Sequence, residues 1–297
     1  MIGKSKYQTW FILSILIITT SLIFQIGNNK ESKIKESVSI EPSATSRQIS
    51  FSGYNWTVRT SAGNKQGPGP NYFNNSKENV WLDSDGNLHL KIIEKDGKWY
   101  CAEIYSQESF GYGTYNFKLA PGFTTLDKNV ILGLFTYLDD ENEIDIEYAK
   151  WGEENAKSGQ FVVQPYTHVG NLRRYNFPET EENSVHGFTW CQDYIKFYAA
   201  TDSEFKYEEH NLVEEWYYTG DDNPEPSSEL VHMNLWLMEG LAPSNGEEAE
   251  VEITDFEYNP SECNDTIPLP SWIIWTIIIG IGSATAIGIF FYLRKIR

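Results

Sequence analysis

The chain has 297 residues and a formal net charge of −19, from 42 acidic and 23 basic side chains. That charge disfavours nucleic acids and sulfated polymers as partners, because like charges oppose the encounter, and among polysaccharides it favours a neutral one. The three cysteines, Cys101, Cys191 and Cys263, are too few and too scattered for a metal cluster, and they allow at most one internal disulfide.

The N-terminal segment has the pattern of a secretory or anchoring signal. Residues 8–27 contain no charged side chain, and Lys4 and Lys6 precede them. A basic start followed by an apolar run predicts a signal peptide or a signal anchor over residues 1–27. No clear small-x-small cleavage site follows, which favours the anchor. Residues 28–49 are rich in Lys, Glu and Ser without periodicity, and we predict a polar linker there.

Residues 50–258 are predicted to form one all-β domain. Short apolar segments alternate with turns rich in Gly, Pro, Asn and Asp, and none shows a long helical period. The segments Val80–Leu82 and Leu88–Ile93, for example, flank the turn Ser84–Asn87, which is the pattern of a β-hairpin. About a dozen such strands without helices indicate two antiparallel sheets packed as a β-sandwich or jelly roll.

The stretch Asn142–Tyr148 is the strongest candidate for chemistry. Acidic and aliphatic residues alternate along it, so a β-strand would place Glu143, Asp145 and Glu147 on one face and the apolar residues on the other. Successive carboxylates on that face would be about 6.6 Å apart at Cα, close enough to repel one another and raise at least one pKa. A sheet gains no stability from such a strip, whereas an acid–base catalyst uses it.

The same alternation of acids recurs at Glu248, Glu250 and Glu252, so the context of each copy decides its interpretation. The first copy follows the apolar run Val130–Tyr137 and the acidic turn Leu138–Glu141, which together predict a hairpin within the sheet. The second copy lies in a Gly- and Glu-rich segment near the end of the domain, and we interpret it as a solvated strand face. The first copy is therefore the catalytic candidate.

The C-terminal part of the chain predicts a membrane tether. Residues 259–270 contain three prolines and are predicted to be a second linker. Residues 271–293 form an apolar run long enough for a transmembrane helix, and residues 294–297 form a basic tail. Positive charges mark the cytoplasmic side of a span, so the tail is predicted to be cytoplasmic and the domain extracellular, at the cell membrane.

Several segments, taken in order, resemble glycoside hydrolase family 16, which includes lichenases, laminarinases and xyloglucan endotransglycosylases. The resemblance covers about residues 50–258. The segments that carry it are Phe110–Tyr115, Leu134–Tyr137, Glu143–Glu147, His186–Trp190, Asp193–Tyr198 and Met233–Trp236. It implies a concanavalin-like jelly roll and an endo-acting glycosidase that requires no cofactor.

By this resemblance Glu143 is the nucleophile of a retaining mechanism and Glu147 is the general acid and base. Asp145 lies between them, where it hydrogen-bonds the nucleophile and tunes its charge. A retaining mechanism needs two carboxyl groups about 5–5.5 Å apart. The Cα atoms of Glu143 and Glu147 would lie about 13 Å apart on an extended strand. Two long side chains that lean inward on a concave sheet close such a gap, whereas two aspartates would not.

The resemblance also indicates residues of a substrate cleft. Sugar rings offer apolar C–H faces between hydroxyl groups, so their clefts need aromatic faces and amide groups. Asn234 and Trp236 match such positions, and the alternation in His232–Trp236 puts both on one face, although core packing is the alternative for Trp236. The further candidates are Tyr137, Trp151 and Gln164.

A structural calcium site is a further expectation from the resemblance. Many family members bind calcium on the convex side of the sandwich, and the carbonyl of Gly86 and the carboxylate of Asp255 match that site. The alternative is that Asp255 is an ordinary exposed strand residue.

Three functional hypotheses follow from the sequence. The leading one is a membrane-anchored, extracellular, retaining endo-β-glycosidase that hydrolyses a neutral, β-glucan-like polysaccharide by double displacement. A transglycosylase on the same scaffold would pass the glycosyl group to another sugar instead of water. A non-catalytic glycan-binding surface domain would not need both Glu143 and Glu147, and both are present.

Overall fold

The computed structural model describes residues 46–202, 204–205, 209–260 and 263. The predicted signal segment, the first linker up to residue 45, and the predicted transmembrane helix with its basic tail lie outside these ranges. Residues 264–270 of the second linker also lie outside them. Within the described ranges, no helix has the length and hydrophobicity that a membrane span requires.

The described ranges contain sixteen β-strands and three short 3-10 segments. The 3-10 segments are Phe123–Thr125, Glu209–Asn211 and Met238–Gly240. The strands are β1 (Arg47–Phe51), β2 (Tyr54–Val58), β3 (Tyr72–Phe73), β4 (Val80–Leu82), β5 (Leu88–Lys95), β6 (Lys98–Ser106), β7 (Gly113–Leu119), β8 (Val130–Asp139), β9 (Asn142–Tyr148), β10 (Gly159–Val163), β11 (Leu172–Tyr175), β12 (Ser184–Trp190), β13 (Ile195–Ala200), β14 (Leu212–Tyr218), β15 (Leu230–Leu237) and β16 (Ala249–Asn259).

These strands form two sheets. The sheet that carries the acidic motif has the order β11-β10-β9-β8-β15-β6-β2-β1, and the other has the order β4-β5-β16-β7-β12-β13-β14. The β5–β6 hairpin links the two, and the short β3 pairs with β6 in parallel while the remaining pairs are antiparallel. The prediction of an all-β, two-sheet antiparallel sandwich is confirmed.

The core lies between the inner faces of the two sheets. On β9, Ile144 and Ile146 are fully buried and Tyr148 is 1% exposed, in one apolar cluster with Phe188 of the second sheet. Burial of each large apolar side chain stabilises the fold by about 1.5–3 kcal/mol relative to exposure. Because one face of β9 is fixed in this core, the acidic residues between these positions must point to the opposite face.

The domain begins three residues before its predicted start. β1 starts at Arg47, inside the predicted linker of residues 28–49. The Arg47 guanidinium donates hydrogen bonds to the carbonyl groups of Asn75, Ser76 and Val80 at 2.6–3.1 Å. These acceptors lie 28 to 33 residues further along the chain, so no local pattern in the linker indicates them.

A disulfide ties the end of the domain to its second sheet. β16 extends to Asn259, and Cys263 bonds to Cys191, which directly follows β12. Cys101 is a buried free thiol in β6, and burial raises its pKa to about 12. The chain therefore uses the single internal disulfide that its cysteine count allows.

Candidate active site

β9 presents its acidic side chains to a cleft on the outer face of its sheet. Glu143, Asp145 and Glu147 all line this cleft, which has a volume of about 770 Å³. Asp145 is 3% exposed, whereas the two glutamates on either side of it are partly exposed. The structure thus brings the three predicted catalytic residues together in one cleft.

Cross-strand pairing places Glu147 in a row of polar side chains. Gln160 of β10 lies opposite Glu147, and Arg174 of β11 lies opposite Gln160. Gln160 Nε2 donates to Glu147 Oε2 at 2.5 Å, and Arg174 Nε donates to Gln160 Oε1 at 3.0 Å. Burial and repulsion from Asp145 raise the pKa of Glu147 to about 8, against the lowering effect of its two polar neighbours. A raised pKa favours the protonated form of Glu147, as a general acid requires.

On its other flank the row contains a glycine. Gly133 of β8 lies opposite Glu147, and Asn234 of β15 lies opposite Gly133. A Cβ atom on Gly133 would be 2.6 Å from Asn234 Oδ1. Asn234 is 1% exposed, and its Oδ1 has no hydrogen-bond partner among the described residues. The missing side chain therefore lets the Asn234 amide approach β8 closely, with an oxygen that is free to accept a hydrogen bond.

Asp145 and Glu143 form a coupled pair of carboxyl groups. They share a hydrogen bond, and Gln164 Nε2 donates to Asp145 Oδ2 at 3.1 Å. Burial, followed by the charge of Glu143, raises the pKa of Asp145 well above its usual range. Burial and the charge of Glu147 also raise the pKa of Glu143, to about 8, although the hydrogen bond from Asp145 opposes that rise. Because this hydrogen bond raises the pKa of Asp145 and lowers that of Glu143, a proton held by the pair lies on the more deeply buried Asp145.

A second acidic centre on the cleft floor was not predicted. Glu103 is 1% exposed and lies opposite Asn234 as the next member of the row. Arg59 Nη1 donates to its carboxylate at 2.6 Å, and His232 Nδ1 lies 2.9 Å from it. Burial would raise the pKa of Glu103, but these two partners lower it below its usual value. The available signal was one acid in the apolar segment Lys98–Tyr105, whose partners are 44 and 129 residues away.

A ladder of stacked rings forms the floor beside Asp145. Phe135 of β8 lies opposite Asp145, followed across the sheet by His232 of β15 and Tyr105 of β6. The His232 ring stacks on Phe135 at 5.0 Å and on Tyr105 at 5.5 Å between centroids. Tyr137, a predicted substrate-binding residue, lines the cleft and packs edge-on against His232 at 5.8 Å. These rings provide the apolar surface that sugar C–H faces contact.

The other predicted substrate-binding residues fall into two groups. Asn234 and Trp236 line the cleft. Trp151 packs edge-on against Trp236 with ring centroids 6.4 Å apart, and Gln164 hydrogen-bonds Asp145. The structure therefore brings Tyr137, Asn234 and Trp236 to the cleft wall, and it places Trp151 and Gln164 where they hold wall residues in position.

The second acidic triplet is located at the start of β16, in the other sheet, with Glu248 directly before the strand and Glu250 and Glu252 on it. Glu248 and Glu250 lie 3.2 and 3.7 Å from the Lys91 ammonium group, and Glu252 accepts a hydrogen bond from Asn87 at 2.7 Å. The side chains of Glu248 and Glu250 are 42% and 39% exposed, which agrees with a solvated strand face.

The two predicted calcium ligands also belong to the second sheet. Gly86 lies in the turn before β5, and Asp255 lies on β16, where its Oδ1 accepts a hydrogen bond from Ser52 Oγ at 2.7 Å. Calcium takes six to eight oxygen ligands, whereas these residues supply two, one of which is already engaged. The calcium site stays a prediction, and the chemistry proposed below makes no use of it.

Sequence comparisons relate the chain to β-glucanases. No family model matches it. The chain is 28% identical to the β-glucanase of Paenibacillus polymyxa over 171 residues, which are 55% of this chain and 64% of that protein. It is 28% identical to the β-glucanase of Acetivibrio thermocellus over 168 residues, which are 53% of this chain and 45% of that protein. The chain thus spans less than two thirds of the length of these relatives.

Solved structures share the fold. A β-glucanase of Bacillus licheniformis gives a TM-score of 0.52 at 21% identity, covering 73% of this chain and 98% of that one. A β-1,3-1,4-glucanase (lichenase) from a mouse hindgut metagenome gives 0.51 at 22% identity, covering 72% and 99%. A family 16 glycosyl hydrolase of Mycobacterium smegmatis gives 0.52 at 18% identity, covering 73% and 93%. The chain is thus similar in sequence to β-glucanases, and it shares its fold with solved glucanases and a solved family 16 glycosyl hydrolase.

Proposed function

We propose that this chain is a retaining endo-β-glucanase that hydrolyses a neutral β-linked glucan. The observation that carries the proposal is the cleft in which Glu147 accepts a hydrogen bond from Gln160 while Glu143 is hydrogen-bonded to the buried Asp145. The names of the sequence relatives, which are β-glucanases, support the substrate class. A merely solvated strip of acids would be exposed and ion-paired, as the triplet on β16 is.

In the first step the Glu143 carboxylate attacks the anomeric carbon of the bound glucan. The glycosidic C–O bond breaks, and Glu147 donates its proton to the departing oxygen, which leaves as a sugar hydroxyl group. The glycosyl group is then an ester on Glu143, and Glu147 has become the anion. The Gln160 amide, which donates to Glu147 Oε2 at 2.5 Å, stabilises that new charge.

In the second step a water molecule attacks the same carbon from the opposite side. Glu147 accepts a proton from this water, the ester bond breaks, and the Glu143 carboxylate is restored. Asp145 keeps its proton throughout and donates a hydrogen bond to Glu143, which makes the glutamate a better leaving group in this step. Two inversions give net retention of the anomeric configuration.

The charges of the cleft support a neutral substrate. Among the described residues that line it, the basic side chains are Arg59 and His232, and both contact Glu103. Neither is left over to bind the carboxylate or sulfate of an acidic sugar. The remaining charge in the cleft is negative, so an anionic polysaccharide would meet repulsion.

The test is hydrolysis of a panel of soluble polysaccharides by the full chain. The panel contains a mixed-linkage β-glucan, a β-1,3-glucan, xyloglucan, a galactan and a carboxymethylated glucan. We expect the chain length of a neutral glucan to fall rapidly, with the β-anomer appearing first in the proton NMR spectrum. Products longer than the substrate would assign a transglycosylase, and binding without cleavage would assign a glycan-binding domain.

Two variants test the roles of the glutamates. We expect Glu143→Ala and Glu147→Ala each to reduce kcat by at least about 10²- to 10⁴-fold. Azide added to Glu147→Ala gives a β-glycosyl azide if Glu143 is still the nucleophile, and azide added to Glu143→Ala gives the α-azide. The reverse stereochemistry would exchange the two roles, and full activity of either variant would refute the mechanism.

We further propose that the domain is held on the outer side of a cell membrane. The support is the two apolar runs, residues 8–27 and 271–293, with the basic tail that follows the second. The disulfide between Cys191 and Cys263 supports an oxidising compartment. Protease added to intact cells is expected to remove the domain and leave a C-terminal tag protected. Full protection of the domain in intact cells would refute this topology.

A further inference from the structure

The row that contains Glu147 ends in an arginine that is joined to the acid through one amide group. Pairing registers place Glu147, Gln160 and Arg174 side by side on three consecutive strands. Gln160 is 4% exposed and is hydrogen-bonded on both sides, at 2.5 Å to Glu147 and at 3.0 Å to Arg174. Arg174 is exposed, and its guanidinium lies 5.8 Å from the centroid of the Trp151 ring.

The chemistry of the guanidinium decides which way the Gln160 amide points. A guanidinium group has donors and no acceptor, so only the amide oxygen satisfies it. The amide nitrogen must then face Glu147, where it donates a hydrogen bond and leaves the carboxyl group's other oxygen for the substrate. In the flipped orientation two donors would face each other, and the amide oxygen would accept the proton that Glu147 has to deliver.

Among the groups that surround Glu147, those that favour its charged form lie on the β10 and β11 side of the row. Asp145 and Glu143 are its acidic neighbours on β9. Across β8 and β15 it faces Gly133 and then Asn234, which carry no charge, before Glu103, whose charge is paired with Arg59. Arg174 is therefore the cation of this row on the side of β10 and β11.

We propose that Arg174 is a positioning residue that locks the Gln160 amide in the orientation in which it donates to Glu147. The proposal rests on the assignment of Glu147 as the general acid and base of the proposed function. The lock keeps the acid's proton available to the leaving group in the first step, and it stabilises the Glu147 anion that the second step needs. The neighbouring Arg173 makes no such contact, since its Nε donates to Glu214 at 2.7 Å.

The adjacent arginine provides a matched control. Arg174→Met removes the lock, Arg174→Lys restores a donor-only cation, and Arg173→Met removes the same charge one residue away. The first readout needs no substrate: the full chain is labelled with ¹³C at the glutamate carboxyl carbons, and the signal of Glu147 is identified by its loss in Glu147→Gln. The second readout is the pH profile of kcat on the glucan that the wild type cleaves.

In Arg174→Met we expect the titration midpoint of Glu147 to rise by about half to one pH unit, because both the amide hydrogen bond and the nearby cation are lost. We expect kcat to fall about 3- to 10-fold at unchanged KM, with the alkaline limb of the profile moved upward. Arg174→Lys should recover most of both effects, and Arg173→Met should change neither.

Two results would overturn the proposal. One is a Glu147 midpoint that stays the same in Arg174→Met, and the other is an equal shift in Arg173→Met, which would indicate only a general change of surface charge. Because the carboxyl titration needs no turnover, it decides the matter even if the wild type cleaves no glucan. The absence of cleavage would refute the proposed function separately.

Discussion

Replacing Glu147 by glutamine is expected to stabilise the protein by an amount that grows as the pH rises from about 4.5 to about 8. Burial and Asp145 raise the folded-state pKa of Glu147 from 4.5 to about 8. Below about pH 4.5 the folded and unfolded chains both carry the proton, so the site costs no stability. Between about pH 4.5 and pH 8 only the folded chain keeps the Glu147 proton, and the free energy of unfolding therefore falls as the pH rises. Above pH 8 the full cost of a buried, repelled anion is present.

The size of the effect follows from the gap between the two pKa values. At about 1.36 kcal/mol per pKa unit, a rise from 4.5 to about 8 corresponds to an upper bound of about 4–5 kcal/mol. Glu147 is partly exposed to the cleft, so solvent screens part of this cost, and we expect about 2 kcal/mol. Glutamine is neutral at every pH and keeps an oxygen that accepts the hydrogen bond from Gln160.

The assay is urea unfolding of the full chain at pH 5 and pH 9, monitored by tryptophan fluorescence. Glu147→Gln should match the wild type at pH 5 and exceed it at pH 9. The control Glu154→Gln removes an exposed charge, since that side chain is 69% exposed, and should have little effect at either pH. An equal gain in the free energy of unfolding at both pH values, or no gain at pH 9, would refute the argument that the Glu147 anion destabilises the folded protein.

Other parts of the structure give three further predictions. Gly133→Ala places a Cβ 2.6 Å from Asn234 Oδ1 and must displace this cleft side chain, so kcat/KM should fall by about 10-fold or more, while circular dichroism stays native. An unchanged kcat/KM would mean that the position of the Asn234 amide does not affect catalysis. Cys191→Ala opens a disulfide between residues 72 positions apart and should cost about 4 kcal/mol, measured as a lower Tm, and reduction should then lower the Tm of the wild type alone. If calcium binds near Asp255, added Ca²⁺ should raise the Tm of the wild type more than that of Asp255→Asn, and an equal response would exclude this residue as a ligand.

The face of each strand could be predicted from the sequence because it depends on a local pattern. Period-2 alternation in Asn142–Tyr148 puts the apolar residues in the core, where Ile144 and Ile146 are fully buried. The hairpin was predicted from the apolar run Val130–Tyr137 and the acidic turn Leu138–Glu141, and in the structure β8 extends two residues further, to Asp139. The fold class followed from the number of these segments and the absence of helical periods.

Contacts between distant strands could not be predicted in this way, because register is set by the whole sheet. The pairing of Arg59 with Glu103, and of His232 with the same carboxylate, joins segments 44 and 129 residues apart. A single acid in an apolar strand signals only that a partner must exist, since an unpaired buried charge is too costly. It does not identify that partner.

The roles proposed for the two glutamates show why the difference between local pattern and register matters for function. Glu143 and Glu147 lie on the same face of the same strand, so alternation alone makes them equivalent. Register then gives Glu147 the amide of Gln160 on one side and the space above Gly133 on the other, whereas Glu143 faces Tyr137 and receives a hydrogen bond from Asp145. An acid needs an orienting donor and room for a leaving group, and a nucleophile needs a negative charge that is held in place. The neighbouring strands therefore distinguish the proposed roles, and a change of register by two residues would keep every carboxylate in the cleft while giving the partners of Glu147, Gln160 and Gly133, to Asp145.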